Sequence, residues 1–107
     1  MSANNFDLDL EIKRIFPRKS RMGGVWITGT INAEYRFSAL VFRAHAECAE
    51  YELGRSRISK LWVQRIATRA TVFNFDRGLD IAVTNRQAQA IVDFLCEGLA
   101  DCVFASA

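Results

Sequence analysis

The sequence predicts an α+β fold, with an antiparallel β-meander of about five strands followed by one C-terminal amphipathic helix packed on one face of the sheet. Apolar and charged residues alternate near the start of the chain, and runs rich in β-branched and aromatic residues fill its middle. Apolar residues recur at helical spacing near the end. With 107 residues the chain has the length of a single domain, and we expect the meander over residues 6–82 and the helix over residues 84–103.

The predicted strands are separated by polar turns. A period-two pattern from Phe6 to Lys13 predicts a half-buried first strand, which we expect the basic run and Pro17 to end. Four later runs predict further strands, at residues 25–31, 35–43, 58–66 and 71–75. The first two of these flank a short turn at residues 32–34, so we expect them to form a hairpin.

A polar turn follows the last of these strands. Asp76, Arg77 and Gly78 suit a turn because Asp can bond nearby amides and Gly tolerates positive φ. Asp80 completes an Asp-x-x-x-Asp spacing that is also typical of an acid/base or metal pair. We interpret these four residues as structural, with Arg77 or Arg57 pairing with Asp80.

The final element is an amphipathic helix. Thr84 is the predicted N-cap, with Gln87 three residues later in a capping-box arrangement. The apolar stripe consists of Ala88, Ile91, Val92, Leu95, Leu99 and Cys102. A helix is about 10 Å wide, whereas strands lie about 4.8 Å apart. One helix therefore covers only one face of such a sheet.

The other face is the candidate partner-binding surface. If Ile27 and Leu61 face the helix, alternation sends four large apolar side chains to the opposite face: Trp26, Leu40, Phe42 and Trp62. Exposed apolar patches of this kind mark partner surfaces, and a homodimer is the simplest version. The alternative is that the sheet curls into a half-barrel, or that a bulge shifts the register, so that both sets are buried.

A basic segment is the second candidate site. The net charge of +2 does not by itself argue for nucleic acid. Five cations nevertheless fall within nine residues that contain no acid: Lys13, Arg14, Arg18, Lys19 and Arg21. Such cations can bind phosphates, and Phe16 inside the run can stack on a base. The alternative is a solvated connection with no partner.

Nothing in the sequence predicts a catalytic residue, a metal site or a cofactor. His45 and Cys48 form half of a zinc site, but no second pair has ligand spacing. There is no phosphate-binding glycine loop, nucleophile elbow or zinc-protease helix. The three cysteines are irregularly spaced, the N-terminal residues lack a signal-peptide core, and no apolar run approaches a membrane span of about 18 residues. We expect a cytoplasmic, non-enzymatic protein with reduced thiols and no membrane contact.

Residues 26–81 resemble a family of small uncharacterised proteins encoded on plasmids, phages and integrated conjugative elements. The likeness rests on two stretches, Arg57-Ile58-Ser59-Lys60-Leu61-Trp62-Val63 and Asn74-Phe75-Asp76-Arg77-Gly78-Leu79-Asp80. Weaker matches are Gly29-x-Ile31, Tyr35-x-Phe37-x-Ala39-x-Val41-Phe42, Glu50-Tyr51 and Gly54. The chain departs from the family pattern at Leu79, where a tryptophan is expected. The resemblance implies a genomic setting and a β-plus-helix fold, but no site.

The functional prediction follows from these two candidate surfaces. We expect a small interaction module, borne on a mobile element, that binds a host or defence-complex protein and can act as an inhibitor. The alternative is a nucleic-acid-binding module that uses the basic segment at residues 13–21.

Overall fold

A computed structural model describes residues 8–17, 23–46, 52–54, 56–76 and 78–104. Within these residues, six strands form one antiparallel sheet in chain order, and a single helix follows them. The elements are β1 Leu10–Pro17, β2 Val25–Ile31, β3 Tyr35–Val41, β4 Ile58–Arg65, β5 Thr71–Asp76, β6 Leu79–Ile81 and α1 Arg86–Phe104. The predicted α+β class is confirmed, with β6 as an additional short strand.

Strand β1 extends further than the alternation pattern predicts. The basic residues and Pro17 were expected to end it, but β1 continues through Lys13 and Arg14 to Pro17. The pairing with β2 shifts between Ile12 and Arg14, so Lys13 is the extra residue of a β-bulge. Pro17 is tolerated because it is the last residue of an edge strand and needs no ladder donor there.

The hairpin of β2 and β3 forms where it was predicted. Its turn places Asn32 and Ala33 in the left-handed region, with φ of 56° and 57°. Asn tolerates that conformation better than most residues. The Glu34 amide donates to the Ile31 carbonyl at 2.9 Å. The Asp9 amide donates to the Asn32 side chain at 2.7 Å, which ties the segment before β1 to the turn.

Gly29 allows the backbone of β1 and the ring of Phe37 on β3 to approach β2 closely. A Cβ at this position would lie 2.3 Å from the Glu11 carbonyl oxygen and 3.0 Å from the ring of Phe37. The first of these contacts is with backbone, which cannot move aside without disturbing the β1–β2 pairing. Glycine is therefore required by the bulged geometry of β1.

The core lies between α1 and one face of the sheet. The buried residues of the helix are Ala88, Ile91, Val92, Leu95, Leu99 and Ala100. They pack against apolar residues of β2 to β5, namely Ile27, Ile31, Tyr35, Phe37, Ala39, Val41, Ile58, Leu61, Val63, Phe73 and Phe75. In the last two turns the buried side shifts toward Ala100, Val103 and Phe104, which leaves Cys102 exposed, contrary to the predicted stripe.

The helix begins one residue later than the predicted cap implies. Asn85, not Thr84, is the N-cap, because its side-chain oxygen accepts a hydrogen bond from the Ala88 amide at 2.8 Å. Gln87 does not complete a capping box. Its side chain accepts from the Tyr35 hydroxyl and donates to Glu34, each at 3.2 Å, and so links the helix start to the hairpin.

Candidate functional site

The face of the sheet opposite α1 is called here the open face. Within the described ranges, no helix covers it. Ladder register and strand alternation arrange its side chains in three rows across the sheet. The rows are Phe16–Trp26–Leu40–Lys60–Asp76, Arg14–Thr28–Ser38–Trp62–Asn74 and Glu11–Thr30–Arg36–Gln64.

The four residues predicted as a partner-binding patch lie on the open face, but they differ in accessibility. Leu40 is only 2 % exposed, whereas Trp26, Phe42 and Trp62 are half-buried. Phe42 lies beside Leu40 at Gly24, where a Cβ would be 2.9 Å from the Phe42 ring. Leu40 therefore supports the aromatic side chains from beneath, and the accessible part of the patch consists of ring surfaces.

Cations accompany the aromatic rings of this face. The Arg14 guanidinium carbon and the Lys60 Nζ each lie 5.9 Å from a ring centroid, that of Phe16 and of Trp26 respectively. These distances are within the range of cation–π attraction. Phe16 is 46 % exposed, and Lys60 also lies 3.5 Å from a carboxylate oxygen of Asp76. The open face is thus aromatic and basic rather than purely apolar.

The two sites predicted from the sequence adjoin each other in the fold. Lys13 lies 3.1 Å from the Glu11 carboxylate at one edge of the open face, and Arg14 is on the face itself. Arg36, an exposed residue of the face, has no carboxylate partner among the described residues. The remaining basic residues of the predicted segment, Arg18, Lys19 and Arg21, lie outside the described part of the chain.

Two contacts of Asp76 hold the turn after β5 against the sheet. The Asp76 amide donates to the Gly78 carbonyl at 2.9 Å, and the Asp76 side chain pairs with Lys60. Gly78 has φ of 152°. Asp80 contributes backbone to β6, while its side chain and Arg77 lie outside the described part. The contacts of Asp76 are those of a structural turn.

A buried carboxylate that sequence analysis missed organises the segment between β3 and β4. Glu52 is 6 % exposed and accepts three hydrogen bonds. The Ala46 and Arg57 amides each donate at 2.7 Å, and His45 Nδ1 lies 2.6 Å from the carboxylate. Burial by itself would raise the pKa of Glu52, but hydrogen bonds from His45 and the two amides, with the charge of His45, lower the pKa below its ordinary value.

Arg57 connects this carboxylate to the helix. Its φ of 66° is left-handed, which directs its amide to Glu52. Its guanidinium donates to the Arg43 carbonyl at 3.0 Å and to the carboxylate of Asp101 on α1. Arg43 in turn lies 4.7 Å from the ring centroid of Phe104. These contacts tie the end of α1 to the β3–β4 connection beside a cleft of about 340 Å³.

The side chains near this cleft that resemble nucleophiles are engaged or protonated. The Ser56 hydroxyl donates to the Leu53 carbonyl at 2.6 Å and accepts from the Ile58 amide at 3.1 Å. Burial, together with the negative charges of Asp93 and Glu97, raises the pKa of the Cys96 thiol to about 11, although a hydrogen bond with Ser56 acts in the opposite direction. Cys96 is therefore a thiol at neutral pH, which is a poor nucleophile.

A second groove of about 550 Å³ opens between α1 and the last strands. Its apolar lining includes Phe73, Phe75, Leu79 and Val92. Leu79 is 59 % exposed although it lies on the helix side of the sheet, because α1 does not extend over β6. The groove marks the limit of the cover that the helix provides.

The described residues contain no cluster of side chains that could hold a metal ion. His45 binds Glu52, and Cys48, its predicted partner in half of a zinc site, falls outside the described part of the chain. Cys96 and Cys102 are both free. Among the described residues, no helix has the length and apolarity needed to cross a bilayer.

Comparison with known proteins identifies a family but does not indicate an activity. A family model described as a domain of unknown function (DUF7678) matches residues 25–100, which include β2 to β6 and most of α1. No curated protein and no solved structure matches the chain. Since the matched segment covers well over half of its length, the chain belongs to this family of domains of unknown function, DUF7678.

Proposed function

We propose that this chain is a non-enzymatic interaction module that binds its partner across the open face. The observation that carries the proposal is a group of accessible aromatic rings on a sheet face without a helix in the described ranges: Phe16, Trp26, Phe42 and Trp62. Aromatic residues, tryptophan above all, are enriched at the energetic centres of interfaces. Aromatic rings that stay accessible at a surface lower the solubility of a domain. A binding role explains why they are there.

The polar clusters elsewhere support binding rather than catalysis. Glu52 accepts hydrogen bonds from His45 and two loop amides, and the Ser56 hydroxyl both donates and accepts within its own loop. A general base or nucleophile is directed at a substrate, whereas these two groups are directed at neighbouring residues. These groups instead hold the β3–β4 connection in place, so their geometry serves the scaffold.

The family resemblance adds a setting to this proposal. Small proteins of plasmids, phages and conjugative elements commonly redirect a host system. We therefore propose that the partner belongs to a host defence complex, that the chain inhibits this complex, and that it does so in the cytoplasm. The simplest protein partner is a second copy of this chain, joined through the open face. Such a contact would bury the accessible parts of Trp26 and Trp62.

A capture experiment with matched variants tests the proposal. The tagged chain, Trp26→Glu, Trp62→Glu and Phe94→Glu are exposed to host lysate with and without nuclease, and bound material is quantified. Phe94 is the control because it is an aromatic residue of α1, 36 % exposed, on the other side of the molecule. Both tryptophan variants should lose the stoichiometric partner while the control keeps it, with thermal unfolding confirming that each is folded. Equal capture by all four proteins would refute the open face as the binding surface.

A further inference from the structure

We infer that the partner of the open face is a single-stranded nucleic acid, with bases stacked on Phe16 and Trp26 and phosphates bound by Arg14, Arg36 and Lys60. This inference rests on the proposed function, since it uses the same face.

The stacking platform is formed by directly paired residues. Phe16 of β1 and Trp26 of β2 are opposite each other in the ladder, so their Cβ atoms are about 5 Å apart. Trp62 lies on the neighbouring row, two strands beyond Trp26. Its ring is held by a hydrogen bond of 3.1 Å from Nε1 to the Thr71 hydroxyl. A sheet face that offers rings to two or three successive bases is an established way to bind single-stranded RNA.

The two paired rings of the platform, Phe16 and Trp26, each have a cation over them. Arg14 accompanies Phe16, and Lys60 accompanies Trp26, at the distances given above. A base that stacks on a ring places its own phosphate within reach of a long basic side chain next to that ring. Between the rings the face carries the short hydroxyl side chains of Thr28 and Ser38, which can donate to phosphates or base edges.

The distribution of charge favours a polyanion on this side of the molecule. Among the described residues, four cations lie on or beside the open face: Lys13, Arg14, Arg36 and Lys60. Two carboxylates of the face, Glu11 and Asp76, are each paired with a lysine, and Asp9 lies exposed just before β1 on the same side. Helix α1, on the opposite side, has Arg86, Asp93, Glu97 and Asp101, and the guanidinium groups of Arg43 and Arg57 lie against its C-terminal end.

The cations of the open face attract a polyanion to this side of the molecule. A protein partner fits this surface less well. The centre of the face is occupied by Leu40, which is 2 % exposed, and by Lys60, and lysine is depleted at the cores of protein interfaces. The accessible groups are ring surfaces and cationic ends, which match a base and a phosphate.

Fluorescence anisotropy with labelled oligonucleotides tests the inference. The probes are single strands of deoxythymidine and of uridine, about 15 nucleotides long, and a duplex of equal length. We expect the full chain to bind the single strands more tightly than the duplex. With three or four phosphates neutralised, affinity should fall roughly 20- to 50-fold between about 50 and about 200 mM salt.

Two pairs of variants separate this site from general effects. Phe16→Ala should weaken binding about ten-fold, because it removes a stacking ring. Ile15→Ala should change little, since Ile15 is the adjacent exposed residue on the helix side of the same strand. Arg36→Glu should weaken binding and lower the salt slope by about 0.7 or more. Arg86→Glu makes the same charge change on α1 and should leave both unchanged.

The outcomes distinguish this inference from the proposed function. No binding of either single strand at low salt overturns the inference, as does equal affinity for the duplex or equal weakening by Ile15→Ala and Phe16→Ala. If, in addition, Trp26→Glu loses a partner that survives nuclease, the open face binds a protein and only the nucleic-acid inference fails. If no oligonucleotide binds and all capture variants behave alike, both proposals fail.

Discussion

The two faces of the sheet bury their apolar residues in different ways. On the helix side, one row across all six strands passes from exposed to buried and back to exposed. Its members are Ile15, Ile27, Ala39, Leu61, Phe75 and Leu79, with exposures of 52 %, 0 %, 0 %, 1 %, 7 % and 59 %. Along this row, α1 covers the residues of the four central strands and leaves the residues of the two edge strands exposed.

The adjacent row on the open face shows burial without a helix. Phe16 at its edge is 46 % exposed, yet Leu40 near its centre is 2 % exposed. Its neighbours there include Trp26 and Lys60 along the row and Phe42 at Gly24. Among the described residues, the neighbours of this leucine on the open face are side chains of the sheet rather than a helix. A low exposed fraction therefore does not show whether a residue is buried by the helix or by side chains of the sheet itself.

Replacing the two buried leucines separates these kinds of burial. Leu61 and Leu40 are equally buried, on opposite faces of neighbouring strands. Leu61→Ala should lower the free energy of unfolding by about 3 to 4 kcal/mol, because a cavity between sheet and helix cannot collapse easily. Leu40→Ala should cost about 2 kcal/mol, since the side chains above it can settle into the space. Urea unfolding of both variants measures the difference.

Equal losses of unfolding free energy in the two variants would contradict this difference between the two faces. That result would mean that the open face is covered as rigidly as the helix side, and a covered face could not bind a partner through its rings. If Leu61→Ala aggregates, Leu61→Val makes the same test with a smaller cavity. It should lower the free energy of unfolding by about 1 kcal/mol.

The Glu52 cluster is a polar connection between the β3–β4 segment and α1 on the helix side. Glu52 binds the Arg57 amide, and the Arg57 guanidinium binds Asp101 of α1. Glu52→Gln should cost about 2 kcal/mol at neutral pH, because the amide group of glutamine would direct a donor at groups that already donate. Glu97→Gln, an exposed acid of α1, is the control and should change stability by less than about 0.5 kcal/mol.

The cost of Glu52→Gln should depend on pH. The pKa of Glu52 in the folded chain lies below its ordinary value of 4.5, so the carboxylate stabilises the fold above that pH. Its contribution is lost as the pH falls from 4.5 through the folded pKa. The difference in unfolding free energy between the native chain and Glu52→Gln should therefore shrink on acidification. A difference that stays constant from neutral pH to below that range would show that Glu52 is not a buried anion.

The features that sequence analysis predicted are those that depend on local periodicity. The runs at residues 25–31 and 58–66 place one face in the core, and strict alternation then fixes the opposite face, where Trp26 and Trp62 lie. Periodicity does not tell how much of that face is accessible, because the burial of Leu40 depends on side chains from neighbouring strands. Accessibility is a tertiary property, which one strand's pattern does not contain.

The features that sequence analysis missed depend on longer-range contacts or on unusual backbone. The extent of β1 was misjudged because cations and Pro17 are typical of a break, whereas a bulge and an edge position accommodate them here. Glu52 was missed because its donors come from both sides of a loop and one requires the left-handed φ of Arg57. An acid between a histidine and an arginine in a connection between strands was the only signal, and it is a weak one.

The start of α1 gives the smallest predicted effect and the most direct test of how the helix side is fixed. Asn85 caps the Ala88 amide, and loss of such a cap typically costs about 1 kcal/mol. Asn85→Ala should therefore lower stability by about 1 kcal/mol, whereas Thr84→Ala, at the position that the capping-box pattern favours, should change it by less than about 0.5 kcal/mol. Thermal unfolding of the two variants decides between them, and the reverse order would restore Thr84 as the cap. Because the cap lies at the start of the only described layer over the sheet, its loss should weaken the helix side while oligonucleotide affinity of the open face stays unchanged.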